Sequence, residues 1–181
     1  STLKNRDPDK PFFLWFAAID AHRGWSKNAV DPPHTPDDVI VPEFLPDTED
    51  VRKDLALYYD EVSRMDEYVG KVVAELKLEG EYDNTVIIVM ADNGRPFPRC
   101  KTTMYDSGIR TPFVVHWPEG IAGGQVNKNL VSSVEIAPTL LQLAGLEIPD
   151  SFQGTSFAPT LYSAVSKTRD YIFAEHNWHD Y

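Results

Sequence analysis

The sequence has almost no cysteine, no long apolar run and no excess of positive charge, and each absence narrows its possible functions. Cys100 is the only cysteine among 181 residues, so neither an internal disulfide nor a cluster of thiolate metal ligands can form. There is no stretch of about 18 apolar residues and no signal-like start, so we expect a soluble protein that does not bind membranes. The formal net charge of -11 disfavours nucleic-acid binding, because phosphates would be repelled.

The chain does contain enough apolar material for the core of one globular domain, with 42% hydrophobic and 12% aromatic residues. Two short runs, Phe12–Phe16 and Val86–Met90, are typical of central strands that are covered on both faces. Further strands are predicted at Thr111–His116 and Tyr171–Ala174. Because a long helical pattern separates the first two strands, the order predicts an α/β fold with a mostly parallel central sheet.

The helical pattern is clearest over Asp50–Glu79, where apolar residues recur at spacings of three and four and Gly80 follows as a terminator. A second helix is predicted over Glu135–Leu143. The segment 31–46 is rich in proline and cannot hold a helix. We therefore expect it to be an ordered insertion on the surface.

The strongest candidates for chemistry are Asp92 and Asn93, which directly follow the strand Val86–Met90. Residues at the carboxyl ends of such strands form the sites of α/β proteins. Their hard oxygen atoms suit Ca²⁺ or Mg²⁺ and do little for zinc, while Gly94 allows a sharp turn. The plain alternative is an ordinary turn after a strand.

Other candidates follow the same logic, and each has a plain alternative. His22 follows the strand Phe12–Phe16 and could reach the same sheet edge, or it could be a surface loop residue. Lys101 lies soon after Asn93 and could neutralise an oxyanion, or it could be a solvated lysine. Arg110 could pair with a carboxylate and fix the loop that carries Lys101.

The end of the chain holds two further histidines, His176 and His179, with an asparagine and a tryptophan between them. Such a group resembles the wall of a site that faces a sugar or an anion. A frayed terminus would have the same composition.

Together these segments resemble the sulfatase family, which lies within the alkaline-phosphatase-like superfamily of metal-dependent hydrolases. The stretch DNGRPFPRCKTTMY and the proline-rich insertion are also similar to the heparan N-sulfatase branch. The resemblance implies a three-layer sandwich around a mostly parallel sheet. The matching segments are PFFLWFAAIDAH at Pro11–His22, YYDEVSRMDEYVG at Tyr58–Gly70, NTVIIVMADNG at Asn84–Gly94, YDSGIRTPFVVHWP at Tyr105–Pro118 and VSSVEIAPTLLQLAGL at Val131–Leu146.

The resemblance also assigns roles. Asp92 and Asn93 would be ligands of one divalent cation, usually Ca²⁺, that holds the sulfate group of a sulfated carbohydrate. His22 and Lys101 would contact sulfate oxygens, and one of them would give a proton to the departing oxygen. By the same analogy, His176 and His179 would reach the substrate. The family usually has proline before this histidine, where the chain has Ala21.

One part of the family pattern is missing. Sulfatases hydrolyse through a formylglycine that is made within a C/S-x-P-x-R motif, and this sequence has no such motif. The family also places an Asp pair on an earlier strand. We therefore expect residues 1–181 to be the carboxyl-side portion of one incomplete catalytic domain. Its partner would be the amino-terminal remainder of the same enzyme, and the isolated piece would be inactive.

Two other functional classes stay open. A phosphatase or phosphodiesterase of the same superfamily would share the Asp-bearing strand but would usually bind two zinc ions. A non-catalytic glycan-binding remnant would keep the fold without the nucleophile. Family analogy places the parent enzyme in an exported or lysosomal compartment, where sulfated polysaccharides are met.

Overall fold

The computed structural model describes residues 3–163 and 167–176, and its longest element is α1, Glu49–Leu78. The Thr48 side chain caps the helix by accepting a hydrogen bond from the Val51 amide. Gly80 follows the helix with a φ of 74°, a left-handed conformation that suits glycine at a helix end. The helix predicted over Asp50–Glu79 is thus confirmed to within one residue at each end.

The described residues contain two strands, β1 (Ile87–Met90) and β2 (Phe113–His116), which pair in a small antiparallel sheet. The predicted parallel pairing is not formed in this part of the chain. The run Phe12–Phe16 is extended but is not a strand, and neither is Tyr171–Ala174. A strand needs a neighbour for its backbone hydrogen bonds, and no described residue supplies one to either segment.

One of the two compact units into which the described residues fall comprises 3–83 and 89–113. Its core forms around Leu55 and Ala56 of α1, which are 0% and 4% exposed. Val39 reaches this core from the proline-rich segment, which also contains a short 3-10 helix at Pro36–Asp38. Phe97 and Cys100 complete it from the loop that follows β1, and the short helix α2 (Asp106–Ile109) comes after that loop. That loop is therefore held by buried side chains and is not free to move.

The second unit comprises residues 84–88 and the described part of 114–176. It contains α3 (Ile136–Leu143), preceded by a 3-10 turn, and the short helix α4 (Ala158–Tyr162). Gly145 lies just beyond α3 with a φ of 70°. The predicted second helix, Glu135–Leu143, is thus confirmed. No helix among the described residues is long and apolar enough to span a membrane.

Candidate functional site

Asp92 and Asn93 lie where β1 ends, one residue beyond the last pairing contact between Ala91 and Pro112. The Asp92 carboxylate is exposed, and no described residue gives it a hydrogen bond or an ion pair. The Asn93 side chain donates from Nδ2 to the Gly94 carbonyl at 2.8 Å. This contact uses the nitrogen, so the amide oxygen is the end that can coordinate a cation.

Two glycines hold this turn against α2 (Asp106–Ile109). The Gly94 amide donates to the Gly108 carbonyl at 2.9 Å. A Cβ at Gly94 would stand 2.0 Å from the Ser107 carbonyl oxygen, and one at Gly108 would stand 2.3 Å from that of Thr103. Only a residue without a side chain allows the two backbones to come this close. The position of Asp92 and Asn93 is therefore set by backbone packing.

Lys101 follows in a tight loop whose internal hydrogen bonds are also formed by the backbone. Its amide donates to the Arg95 carbonyl at 3.0 Å, and the Cys100 amide donates to the Phe97 carbonyl at 3.1 Å. The Lys101 side chain is half-buried, and its ammonium has no hydrogen-bond or ion-pair partner in residues 3–163 and 167–176. A positive charge without a carboxylate partner is available to an anion.

His22 is exposed on a turn whose backbone is closed by a 2.9 Å hydrogen bond from the His22 amide to the Ile19 carbonyl. Its ring Nδ1 lies 3.1 Å from the carbonyl oxygen of Arg23. Arg23 in turn donates from Nε to the Pro96 carbonyl at 2.8 Å, which joins this turn to the loop of Lys101. The structure thus brings the His22 turn into contact with the loop that begins at Asp92.

Helix α1 holds the His22 turn by polar contacts. Arg64 donates to both oxygens of Asp20 at 2.8 and 2.6 Å, and these hydrogen bonds keep the pKa of Asp20 below its usual range although burial opposes the shift. The same pairing raises the pKa of Arg64. Glu61, which is 3% exposed, accepts a hydrogen bond from the Ser26 amide at 2.8 Å. The turn is therefore fixed to the helix on both sides of His22.

The residues of α1 that make these contacts were not among the functional residues predicted from the sequence. A signal was present, because Asp54, Glu61 and Arg64 are separated by seven and three positions and so share one face of α1. The apolar stripe of the same helix predicts only a packing role for it.

The donor set at the end of β1 fits part of a calcium site. Asp92 and Asn93 supply two hard oxygens, whereas Ca²⁺ takes about six to eight oxygen ligands. Among the residues that the structure describes, no group of three or more His, Cys, Asp or Glu side chains is arranged to hold a metal. Further oxygen ligands, from other side chains, backbone carbonyls or water, would be needed to complete such a site.

The other predicted residues are placed as follows. Arg110 is exposed and forms no ion pair within the described residues, so its role in fixing the Lys101 loop stays a prediction. His176 is exposed in the second unit. His179 lies outside the described residues.

Comparison with known proteins decides the family. The model of the family described as Sulfatase matches residues 1–146, which is most of the chain. The chain belongs to the sulfatase family. Its α/β structure agrees with solved neighbours of alkaline-phosphatase-like fold, so this part of the predicted fold is confirmed. The resemblance found in the sequence is confirmed as well.

Three relatives illustrate the range of the match. The human N-sulphoglucosamine sulphohydrolase is 35% identical in an alignment of length 174 that covers 81% of this chain and 34% of that protein. A protein solved in complex with its substrate, D-glucosamine-2-N,6-O-disulfate, is 29% identical, with a TM-score of 0.62. The match covers 72% of this chain and 27% of the chain of that protein. The phosphonate monoester hydrolase of Silicibacter pomeroyi is 31% identical, with a TM-score of 0.56. The match covers 71% of this chain and 26% of the hydrolase chain. The chain thus spans about a third of the length of the curated relatives.

Proposed function

We propose that the chain supplies the cation-holding and sulfate-contacting side of an enzyme that removes sulfate from a sulfated sugar. The match of the sulfatase model to residues 1–146 carries this proposal. The sugar sulfate would be an N-sulfo or O-sulfo group on glucosamine, because relatives at 35% and 29% identity are named for such compounds. The enzyme would work in an exported or lysosomal setting.

The candidate site offers the chemistry that the reaction needs. Asp92 and Asn93 would bind one Ca²⁺, which would draw charge from the sulfate oxygens. Lys101 would neutralise a further sulfate oxygen, because its ammonium is half-buried and has no carboxylate partner among the described residues. A proton from His22 or Lys101 would go to the departing oxygen of the sugar, and this transfer makes the sugar a better leaving group.

The nucleophile would come from another part of the full-length protein. We propose that this part carries the formylglycine and the remaining cation ligands, and that Phe12–Phe16 joins its strands in a mostly parallel sheet. In the described residues that segment exposes Phe13, Trp15 and Phe16 by 70%, 76% and 69%. The isolated chain is therefore expected to release no sulfate.

The test uses the product of the full open reading frame. Sulfate release from N-sulfated and 6-O-sulfated glucosamine is measured with Ca²⁺ and after chelation. Asp92→Asn is expected to lower kcat/KM by at least about 100-fold. The matched control is Asp83→Asn, an exposed aspartate that precedes β1, which should leave the rate unchanged. An Asp92→Asn enzyme with wild-type activity would overturn the proposed site.

A second candidate is a phosphonate or phosphate ester hydrolase, which the likeness to the phosphonate monoester hydrolase favours. Metal analysis of the full-length protein separates the two. One calcium with sulfate release supports the sulfatase, whereas two zinc ions with phosphonate or phosphodiester cleavage would replace it.

A further inference from the structure

Arg23 uses its whole guanidinium to connect three segments of the first unit. Its Nε donates to the Pro96 carbonyl at 2.8 Å, and its plane lies over the Phe97 ring, 4.9 Å from the centroid. Its two terminal nitrogens donate to the two oxygens of Asp54 on α1, at 3.2 and 2.6 Å. The turn after residue 19, the loop after β1 and the long helix therefore meet at one side chain.

The acceptor of this arrangement is itself oriented. Trp25 donates from its indole nitrogen to Asp54 Oδ1 at 2.6 Å, and the Arg23 guanidinium lies 5.3 Å from the Trp25 ring centroid. The planar guanidinium binds a carboxylate with two nitrogens and a carbonyl with the third. These three contacts together fix its orientation. A lysine ammonium is a point charge on a flexible stem and cannot make the same set of contacts.

We propose that Arg23 is a positioning residue that fixes His22 relative to Lys101, an inference that rests on the proposed function. Both connections are short. Arg23 follows His22 directly, and its carbonyl oxygen lies 3.1 Å from the histidine ring. Pro96, which accepts from Arg23, follows Arg95, whose carbonyl accepts from the Lys101 amide at 3.0 Å.

The ion pair contributes little to global stability, because the Arg23 and Asp54 side chains are 47% and 30% exposed and solvent screens them. Its loss should therefore loosen the two loops without unfolding the unit. Catalysis is far more sensitive, since a misplacement of about 1 Å can lower a rate about 100-fold. A positioning role thus predicts a large kinetic effect with a small change in melting temperature.

The test compares Arg23→Lys with Arg52→Lys in the full-length protein. Arg52 is a matched control because it also binds both oxygens of an aspartate, Asp47, and donates to a proline carbonyl, that of Pro36. In Arg23→Lys, hydrogen exchange at the hydrogen-bonded amides of Phe97, Cys100 and Lys101 should become at least about 10-fold faster, and kcat/KM for sulfate release should fall about 10- to 100-fold, mainly in kcat. In Arg52→Lys both quantities should stay at their wild-type values.

The outcomes separate the inference from the proposed function. If the wild-type enzyme releases sulfate and Arg23→Lys matches Arg52→Lys in exchange and in kcat/KM, the positioning role is refuted while the sulfatase function stands. If the wild type releases no sulfate, the proposed function fails, and the positioning role fails with it. Should Arg23→Lys not fold, Asp54→Asn weakens the same contact and carries the same two expectations.

Discussion

Replacing Gly94 by alanine tests whether backbone packing sets the position of Asp92 and Asn93, the proposed cation ligands. An ideal Cβ at Gly94 would stand 2.0 Å from the Ser107 carbonyl oxygen and 2.8 Å from the Gly108 Cα. Both are backbone atoms, so no rotation of a side chain can relieve the clash. A comfortable carbon-to-oxygen contact is about 3.3 Å, and the turn would have to move by about 1.3 Å.

The cost of this movement has two parts. Forcing an extra carbon into a close-packed contact typically costs about 1–3 kcal/mol. The movement also breaks the 2.9 Å hydrogen bond from the Gly94 amide to the Gly108 carbonyl, which contributes about 0.5–1.5 kcal/mol. We therefore expect Gly94→Ala to destabilise the chain by about 2–4 kcal/mol and to lower Tm by about 5–15 °C. Because Asp92 and Asn93 move with the turn, calcium affinity should fall at least about 10-fold.

Thermal denaturation measures the first effect, and calcium titration calorimetry of the full-length protein measures the second. Gly70→Ala is the control, because Gly70 lies within α1 and nothing within 4 Å would meet its Cβ. That change should stabilise the protein by about 0.5–1 kcal/mol through helix propensity and leave calcium binding unchanged. Wild-type Tm and calcium affinity in Gly94→Ala would refute the conclusion that this turn is held by backbone packing.

Two further predictions concern ion pairs. Arg64→Ala removes the partner of Asp20, whose pKa is lowered mainly by the hydrogen bond from Arg64. The stability that this pair contributes is therefore present above about pH 4 and is lost as the pH falls through the folded-state pKa of Asp20. Urea denaturation should therefore show the largest difference from wild type at pH 7 and a shrinking one below pH of about 4; a difference that grows in acid would contradict this sign. Arg169→Ala leaves the fully buried Glu135 carboxylate with one amide donor in place of three hydrogen bonds and should cost about 2–4 kcal/mol, measured by urea denaturation at pH 7. Lys167→Ala, in an exposed ion pair, should stay within about 0.5 kcal/mol, and equal costs for the two variants would contradict the argument.

The helices could be predicted from the sequence because their signals are local. Apolar residues along α1 recur at helical spacing, and the glycine that ends the helix is adjacent in the chain. Strand pairing depends on segments far apart in sequence, and the run Phe12–Phe16 shows the consequence. Its composition predicts a buried strand, yet Trp15 is 76% exposed and the segment pairs with no described strand. Apolar composition indicates that a segment needs a packing partner, but it does not identify that partner.

The candidate site also has features that a local pattern predicts and features that depend on tertiary packing. The place of Asp92 and Asn93 follows from β1, because whatever follows a strand emerges at its end. The loop of Lys101 could be recognised as tight from its sequence. That Phe97 and Cys100 hold this loop in the core depends on tertiary packing against α1, which no local pattern encodes. The candidate side chains could therefore be named from the sequence, whereas the residues that hold their loop could not.

The polar face of α1 orders the loop that follows His22. Asp60 and Glu61 are consecutive acidic residues, 1% and 3% exposed, and buried carboxylates need hydrogen-bond donors. Both find them in the loop beside the helix: Asp60 accepts from the His34 amide at 2.8 Å, and Glu61 accepts from the Ser26 amide at 2.8 Å. The loop between His22 and His34 is thus ordered by backbone donors that the helix requires. Substitutions of Asp60 or Glu61 should consequently disturb the placement of the His22 turn.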